Sequence, residues 1–151
     1  MNALSIFAGA CLLFACAMVG LWIKKRLIAR AVFYEDYYEY LLFAGEKIGY
    51  ERMPIHELNT SFANRKKGTF AEYLLHRSIP AQMSSVEMTE IEEYLSEIGS
   101  TDADTQIASL HAKSAEIKRF IEKDCVKYRK DASLYFKLSV LIGVAIFIIL
   151  V

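Results

Sequence analysis

Residues 3–23 read "ALSIFAGACLLFACAMVGLWI", twenty-one positions without one charged side chain. At about 1.5 Å per helical residue the stretch is roughly as long as the ~30 Å hydrocarbon core of a bilayer, so it is predicted to be a membrane-spanning helix. The other end repeats the pattern. "LSVLIGVAIFIILV", Leu138 to Val151, reaches almost full spanning length when continued back to Leu134, with Lys137 snorkelling its amine to the interface. The reading is therefore two spans, 3–23 and 134–151, around a segment 24–133.

A cleaved signal competes for the first stretch, because Ala15–Ala17 has the small-x-small form of a cleavage site and Cys16 ends a lipoprotein-like "LFAC". Both need a basic region in front, and "MNALS" has none, so retention as an anchor is the preferred reading. The basic residues lie behind the apolar run, at Lys24, Lys25, Arg26 and Arg30, and ahead of the second one, at Lys127, Arg129, Lys130 and Lys137. Positive charge stays on the cytoplasmic side, which places the middle segment in the cytoplasm and both termini across a bacterial cell membrane.

Charge supplies no partner. Eighteen Lys and Arg balance eighteen Asp and Glu, leaving no global field to attract nucleic acid. The 54% of hydrophobic residues and the mean hydropathy of +0.23 reflect the two ends. Cys11, Cys16 and Cys125 have no CxxC or Cys/His spacing for zinc, and Cys11 and Cys16 do not share a helix face, so all three read as reduced packing residues.

The middle segment reads as all-α, a helical bundle. From Arg26 to Arg52, Tyr34, Tyr37, Tyr38, Leu41, Leu42, Gly45 and Ile48 recur at helical spacing, which predicts one long helix leaving the membrane. Among its tyrosines, Tyr37 and Tyr38 are expected to pack inward, with Tyr34 and Tyr40 on a solvated edge rather than stacking a ligand. Pro54 forces Met53 out of helical geometry and opens a short helix to about Asn64, followed by the solvated turn "NRKKG". A third helix covers about Thr69 to Arg77. The fourth starts with the capping-box pair Ser84 and Glu87, flanked by Met83 and Met88 as a hydrophobic staple, and buries Ile91, Tyr94, Leu95 and Ile98 before Gly99 ends it.

"IGSTDADTQ", residues 98–106, then poses a choice between metal ligands, catalytic acids and a helix start. A calcium loop of D-x-[DN]-x-[DN]-G form needs further oxygen ligands, and the chain continues with Gln106 and Ile107. Thr101 and Asp104 have capping spacing instead, and Asp102 adds negative charge at the positive end of the next helix, so Thr101→Ala is expected to cost about 0.5–2 kcal/mol. That helix runs from Asp102 to about Lys130 on a seam of Ile107, Leu110, Ile117, Ile121, Cys125 and Tyr128, and can continue into the second span.

No catalytic pattern emerges. His56-Glu57 lacks the second histidine of HExxH, His76 and His111 have no spaced partner, and Glu90, Glu92 and Glu93 read as a solvated helix face. Arg65, Lys66 and Lys67 come without a glycine-rich phosphate loop. The residues predict no enzyme, catalytic residue, metal site or cofactor.

Taken together, the chain resembles the stage III sporulation protein AB family, whose domain is similar to the F proteins of type II secretion. Gly99, Thr101, Asp102 and Gln106 stand in that family's G-x-(S/T)-D-x-x-x-Q arrangement, and "KIGYERMPIHEL" is similar to its E-I-x-Y-x-x-T-P-L-x-E-A element, with Ile48, Tyr50, Pro54 and Glu57 in place. Lys47, Met53, Ile55 and Thr105 depart from it. The resemblance implies a non-enzymatic assembly platform of the channel-like complex between mother cell and forespore, on the mother-cell side of the outer forespore membrane. The partners it implies are the membrane, the other stage III sporulation membrane subunits and a secretion-type ATPase, stage III sporulation protein AA. The alternative is a membrane-anchored adaptor or metal-binding regulator outside sporulation.

Overall fold

A computed structural model describes residues 3–51 and 53–150. The chain is all-α, with α1 (Ala3–Glu51), α2 (Ile55–Arg65), α3 (Thr69–His76), α4 (Ser85–Glu97), α5 (Ala103–Phe120), a π-helical turn (Ile121–Cys125) and α6 (Val126–Leu150). Ile6–Glu51 and Ala103–Leu150 each contain a stretch long and apolar enough to cross a membrane, and within the protein only 11% and 6% of those stretches are buried. Phe7, Phe14, Trp22, Leu141, Ile148 and Ile149 therefore stand exposed.

The chain divides into two compact units, one of Met1–Ile28 with Val126–Val151, the other of Ala29–Cys125. Lys24, Lys25, Arg26, Lys127, Arg129, Lys130 and Lys137 all fall in the first of these units.

The first unit is an antiparallel pair of helices held together by small residues. A methyl group on Gly143 would lie 3.1 Å from Cys16 Cβ and 3.4 Å from Leu13 Cα, and one on Gly20 would lie 2.8 Å from Ser139 Cβ. Such contacts let two backbones approach closely, which is how helices associate where no water drives them together. The Ser139 hydroxyl donates to the Cys16 carbonyl, satisfying a polar group among apolar neighbours.

The second unit is built on aromatic side chains. Phe70 on α3 is fully buried and meets Phe33, Tyr37 and Tyr40 of α1 at ring-centroid distances of 5.2, 5.5 and 5.6 Å. Tyr40 also stands edge-on to Phe62 of α2 at 5.3 Å. Each ring removes a large apolar area from water, so the cluster is the principal cohesive element of this unit. The inward stripe of α1 includes Phe33, Tyr34, Tyr37, Tyr40, Leu41 and Ala44. This corrects the expected register: Tyr34 and Tyr40 are buried, and Tyr38 is only half-buried. Side chains of α2, α3, α4 and α5 all meet this part of α1, and the face they cover is wider than the stripe that hydrophobicity alone picks out.

Candidate functional site

The turn at residues 98–106 is a hydrogen-bonded helix start. Asp102, with extended backbone, is the N-cap of α5, and its Oδ2 accepts the Thr105 N–H at 3.1 Å. That bond holds the exposed carboxyl below the usual carboxylate range. The cap is therefore Asp102, one residue beyond the expected Thr101. Thr101 instead donates its hydroxyl to Gln106 Oε1 at 3.3 Å, and the same oxygen accepts the Gly99 N–H at 2.8 Å. Gln106 is buried, and Gly99 takes the left-handed φ of +90° that favours glycine. The four residues quoted above as a motif thus close one turn, with Gln106 as its staple. Asp104 is exposed in the first turn of α5, and among the described residues no three His, Cys, Asp or Glu side chains gather as a metal site.

Glu87 of α4 bonds both to side chains of α1 and to the Ser84 cap of its own helix. Its Oε2 accepts the Ser84 backbone N–H at 3.1 Å and the Ser84 hydroxyl at 2.7 Å, while the Glu87 N–H donates to Ser84 Oγ, completing the predicted capping box. Its Oε1 accepts from the Tyr34 hydroxyl at 2.9 Å and from the Arg30 guanidinium, which ties α4 to α1. Burial raises this carboxyl, but the Ser84 hydroxyl and amide, Tyr34 and Arg30 together outweigh burial and hold it below its ordinary value. The capping box is local in sequence; Arg30 and Tyr34 carry no signal that they reach it.

Lys66 of the "NRKKG" turn lies 3.2 Å from Asp36 Oδ1 and 2.7 Å from Glu39 Oε2, so this lysine closes α2 against α1. Burial raises the Asp36 carboxyl and Lys66 draws it partly back. His56, His76 and His111 are exposed on α2, α3 and α5 respectively, and Glu90, Glu92 and Glu93 form an exposed face of α4.

The concave surfaces of the second unit include a groove and a cavity beside α1. A groove of about 430 Å³ separates the end of α1 from the start of α5, lined by Leu42, Gly45, Gly49, Tyr50, Ile107 and His111 among others. Leu42 is 43% and Tyr50 90% exposed beside it. Gly45 and Gly49 are one helical turn apart, and a methyl on Gly45 would touch nothing within 4 Å, so absent side chains open the groove. A second cavity of about 220 Å³ is lined by Tyr34, Tyr37, Glu90, Lys113, Glu116 and Phe120 among others. The Tyr37 hydroxyl is buried there without a hydrogen-bond partner, and burial, followed by Tyr94 and Glu116, pushes it well above the ordinary phenol range. The sequence signal for the groove is the pair of glycines, Gly45 and Gly49, inside a helical pattern.

Compared with protein-family models, with curated proteins and with solved structures, the chain matches none.

Proposed function

We propose that the chain is a non-enzymatic membrane assembly platform, anchored by 3–23 and 134–151, that presents its helical domain in the cytoplasm to partner proteins. The observation that carries the reading is the pairing of two long apolar helices with a separate aromatic-core unit whose α1–α5 groove is open and partly apolar. Grooves of this form accept an apolar anchor from a partner, with binding energy concentrated in a few buried side chains. The particular platform we propose is of the stage III sporulation AB type. It is supported by the resemblance at Gly99, Thr101, Asp102 and Gln106, and by the physical reason those residues have for their spacing. Its partners would be the other stage III sporulation membrane subunits and their secretion-type ATPase.

The test is co-purification from detergent-solubilised sporulating cells of a tagged full-length chain. Recovery of those subunits and the ATPase, weakened by Gly45→Trp in the groove, is the expected result. Normal spore formation after clean deletion of the coding sequence would sink the proposal.

A further inference from the structure

We infer that the antiparallel pair of apolar helices carries a binding site for the phosphate headgroups of anionic phospholipids; the inference rests on the membrane reading above. The net charge of zero conceals a separation. The unit made of Met1–Ile28 and Val126–Val151 contains seven Lys and Arg against the single Asp131, while Ala29–Cys125 carries eleven against seventeen. The surplus positive charge of the chain lies on its apolar unit.

Within that unit the cations follow directly on the uncharged stretch of α1 and precede that of α6. Gly20 packs on Ser139 and Phe136, and Lys24 Nζ stands 5.4 Å over the Phe136 ring, so the antiparallel pairing brings Lys24, Lys25 and Arg26 of α1 beside Phe136 and Lys137 of α6. Lys127, Arg129 and Lys130 lie about 10–15 Å farther along α6 from Lys137 and form a second, exposed basic group, and Lys25, Arg26 and Lys137 are exposed as well. Aromatic side chains mark the level of Arg26 and Lys137: the Arg26 guanidinium lies 5.4 Å over the Trp22 ring, and Trp22 and Tyr135 are 61% and 49% exposed. On the far side of this level the described helices carry no charge at all, and Phe14, Val19, Leu141 and Ile142 are exposed.

A cationic collar bordered by exposed aromatics and then by an uncharged apolar shaft matches one ligand: a phosphodiester whose acyl chains lie along the shaft. Free phosphate or nucleic acid would make no use of that shaft. Guanidinium and ammonium groups donate charge-assisted hydrogen bonds to phosphate oxygens, and juxtamembrane clusters of this size favour anionic lipid. Because the cations come from both helices, a headgroup with two phosphates is expected to be held more tightly than one with a single phosphate.

The full-length chain would be inserted into phosphatidylcholine bilayers doped with phosphatidylglycerol or with a two-phosphate lipid of matched acyl chains. Lipid retained on the purified protein would then be measured by native mass spectrometry. The expected preference for phosphatidylglycerol over phosphatidylcholine is about tenfold at low salt, and it declines as salt rises. Replacing Lys24, Lys25 and Arg26 together by Gln is expected to reduce it at least about threefold, as is replacing Lys127, Arg129 and Lys130, with helix content by circular dichroism unchanged. Equal retention of both lipids, an unaltered preference in both triple variants, or full displacement by inorganic phosphate would each overturn the headgroup site while leaving the anchors intact. Failure to enter phosphatidylcholine bilayers at all would overturn the membrane reading with it.

Discussion

Asp102 is where the chemistry of a single residue settles a choice between two roles. Its carboxylate is occupied by the Thr105 N–H, and the neighbouring polar atoms of Gly99 and Thr101 are turned to Gln106. Asn caps a helix about as well as Asp, and Ala does not. Asp102→Asn is therefore expected to keep the thermal midpoint of the full-length protein, and Asp102→Ala to lower it; an added divalent cation should shift neither. A midpoint raised by the cation in the native protein and not in Asp102→Asn would restore the metal reading. The sequence made a helix start legible here, because Thr, Asp and Gln at these spacings have local uses. It did not reveal which oxygen caps, since Thr101 and Asp102 both suit the role and only the distant bond to Gln106 removes Thr101 from it. Glu87 offers a pH test. Its folded pKa lies below the ordinary 4.5, so the stability it contributes is fully present above that value and is lost as pH falls through the lower, folded pKa. Denaturant midpoints measured downward from pH 6 should fall less in Glu87→Gln than in the native protein. Equal slopes would mean that its bonds to Ser84, Tyr34 and Arg30 do not favour the charged form.

Among the elements, the two long helices show most clearly what periodicity conveys and what it hides. The break at Met53, the ends of α2 and α3 within a residue or two and the capping box of α4 were all readable from Pro54, Gly68 and Ser84, because each restricts its own backbone. The π turn was not. Ile117, Ile121 and Cys125 follow one another at four-residue steps, which on a 3.6-residue helix drift by roughly 80°. The extra residue accommodated at Ile121–Cys125 absorbs that drift and lets Cys125 remain buried, its thiol directed to the Ala31 carbonyl. The face of α1 differs from the expected one because tyrosine is apolar enough for a core and polar enough for an edge, so Tyr34, Tyr38 and Tyr40 are sorted by their neighbours. Gly45 makes the element-scale prediction. Its position in a helix interior with open space around it means that Gly45→Ala should stabilise the protein by about 0.5–1 kcal/mol, read as a higher denaturant midpoint with an unchanged slope. Such a gain would fit a groove whose open floor is set by glycine and not by the packing of α1. A destabilising Ala would instead show that α1 needs glycine there for its own packing.

At the scale of the molecule, composition and structure give different pictures of the same charges. A net charge of zero describes neither unit, because the apolar helices hold a basic surplus and the aromatic-core unit an acidic one. The two long apolar helices were legible from the uncharged runs at either end, whereas the division at Ile28 and Val126 has no such mark in the sequence. That division depends on how far the helix pair extends beyond its apolar residues. Phe33, Tyr37, Tyr40, Phe62, Phe70 and Tyr73, whose rings contact one another, all lie within Ala29–Cys125. Domains near 100 residues bury enough surface to fold by themselves, and this one has its own core and its own capped helices. Residues 29–125 expressed alone should therefore be soluble without detergent, strongly helical, and lose helix and tyrosine near-ultraviolet signals in one coincident thermal transition. The near-ultraviolet signal is the discriminating one, since it reports the packing of buried tyrosines, whereas isolated helices could retain far-ultraviolet ellipticity without it. A fragment with helix but no fixed tyrosine environment would show that the helix pair is needed to order the core, and that the two units are thermodynamically one.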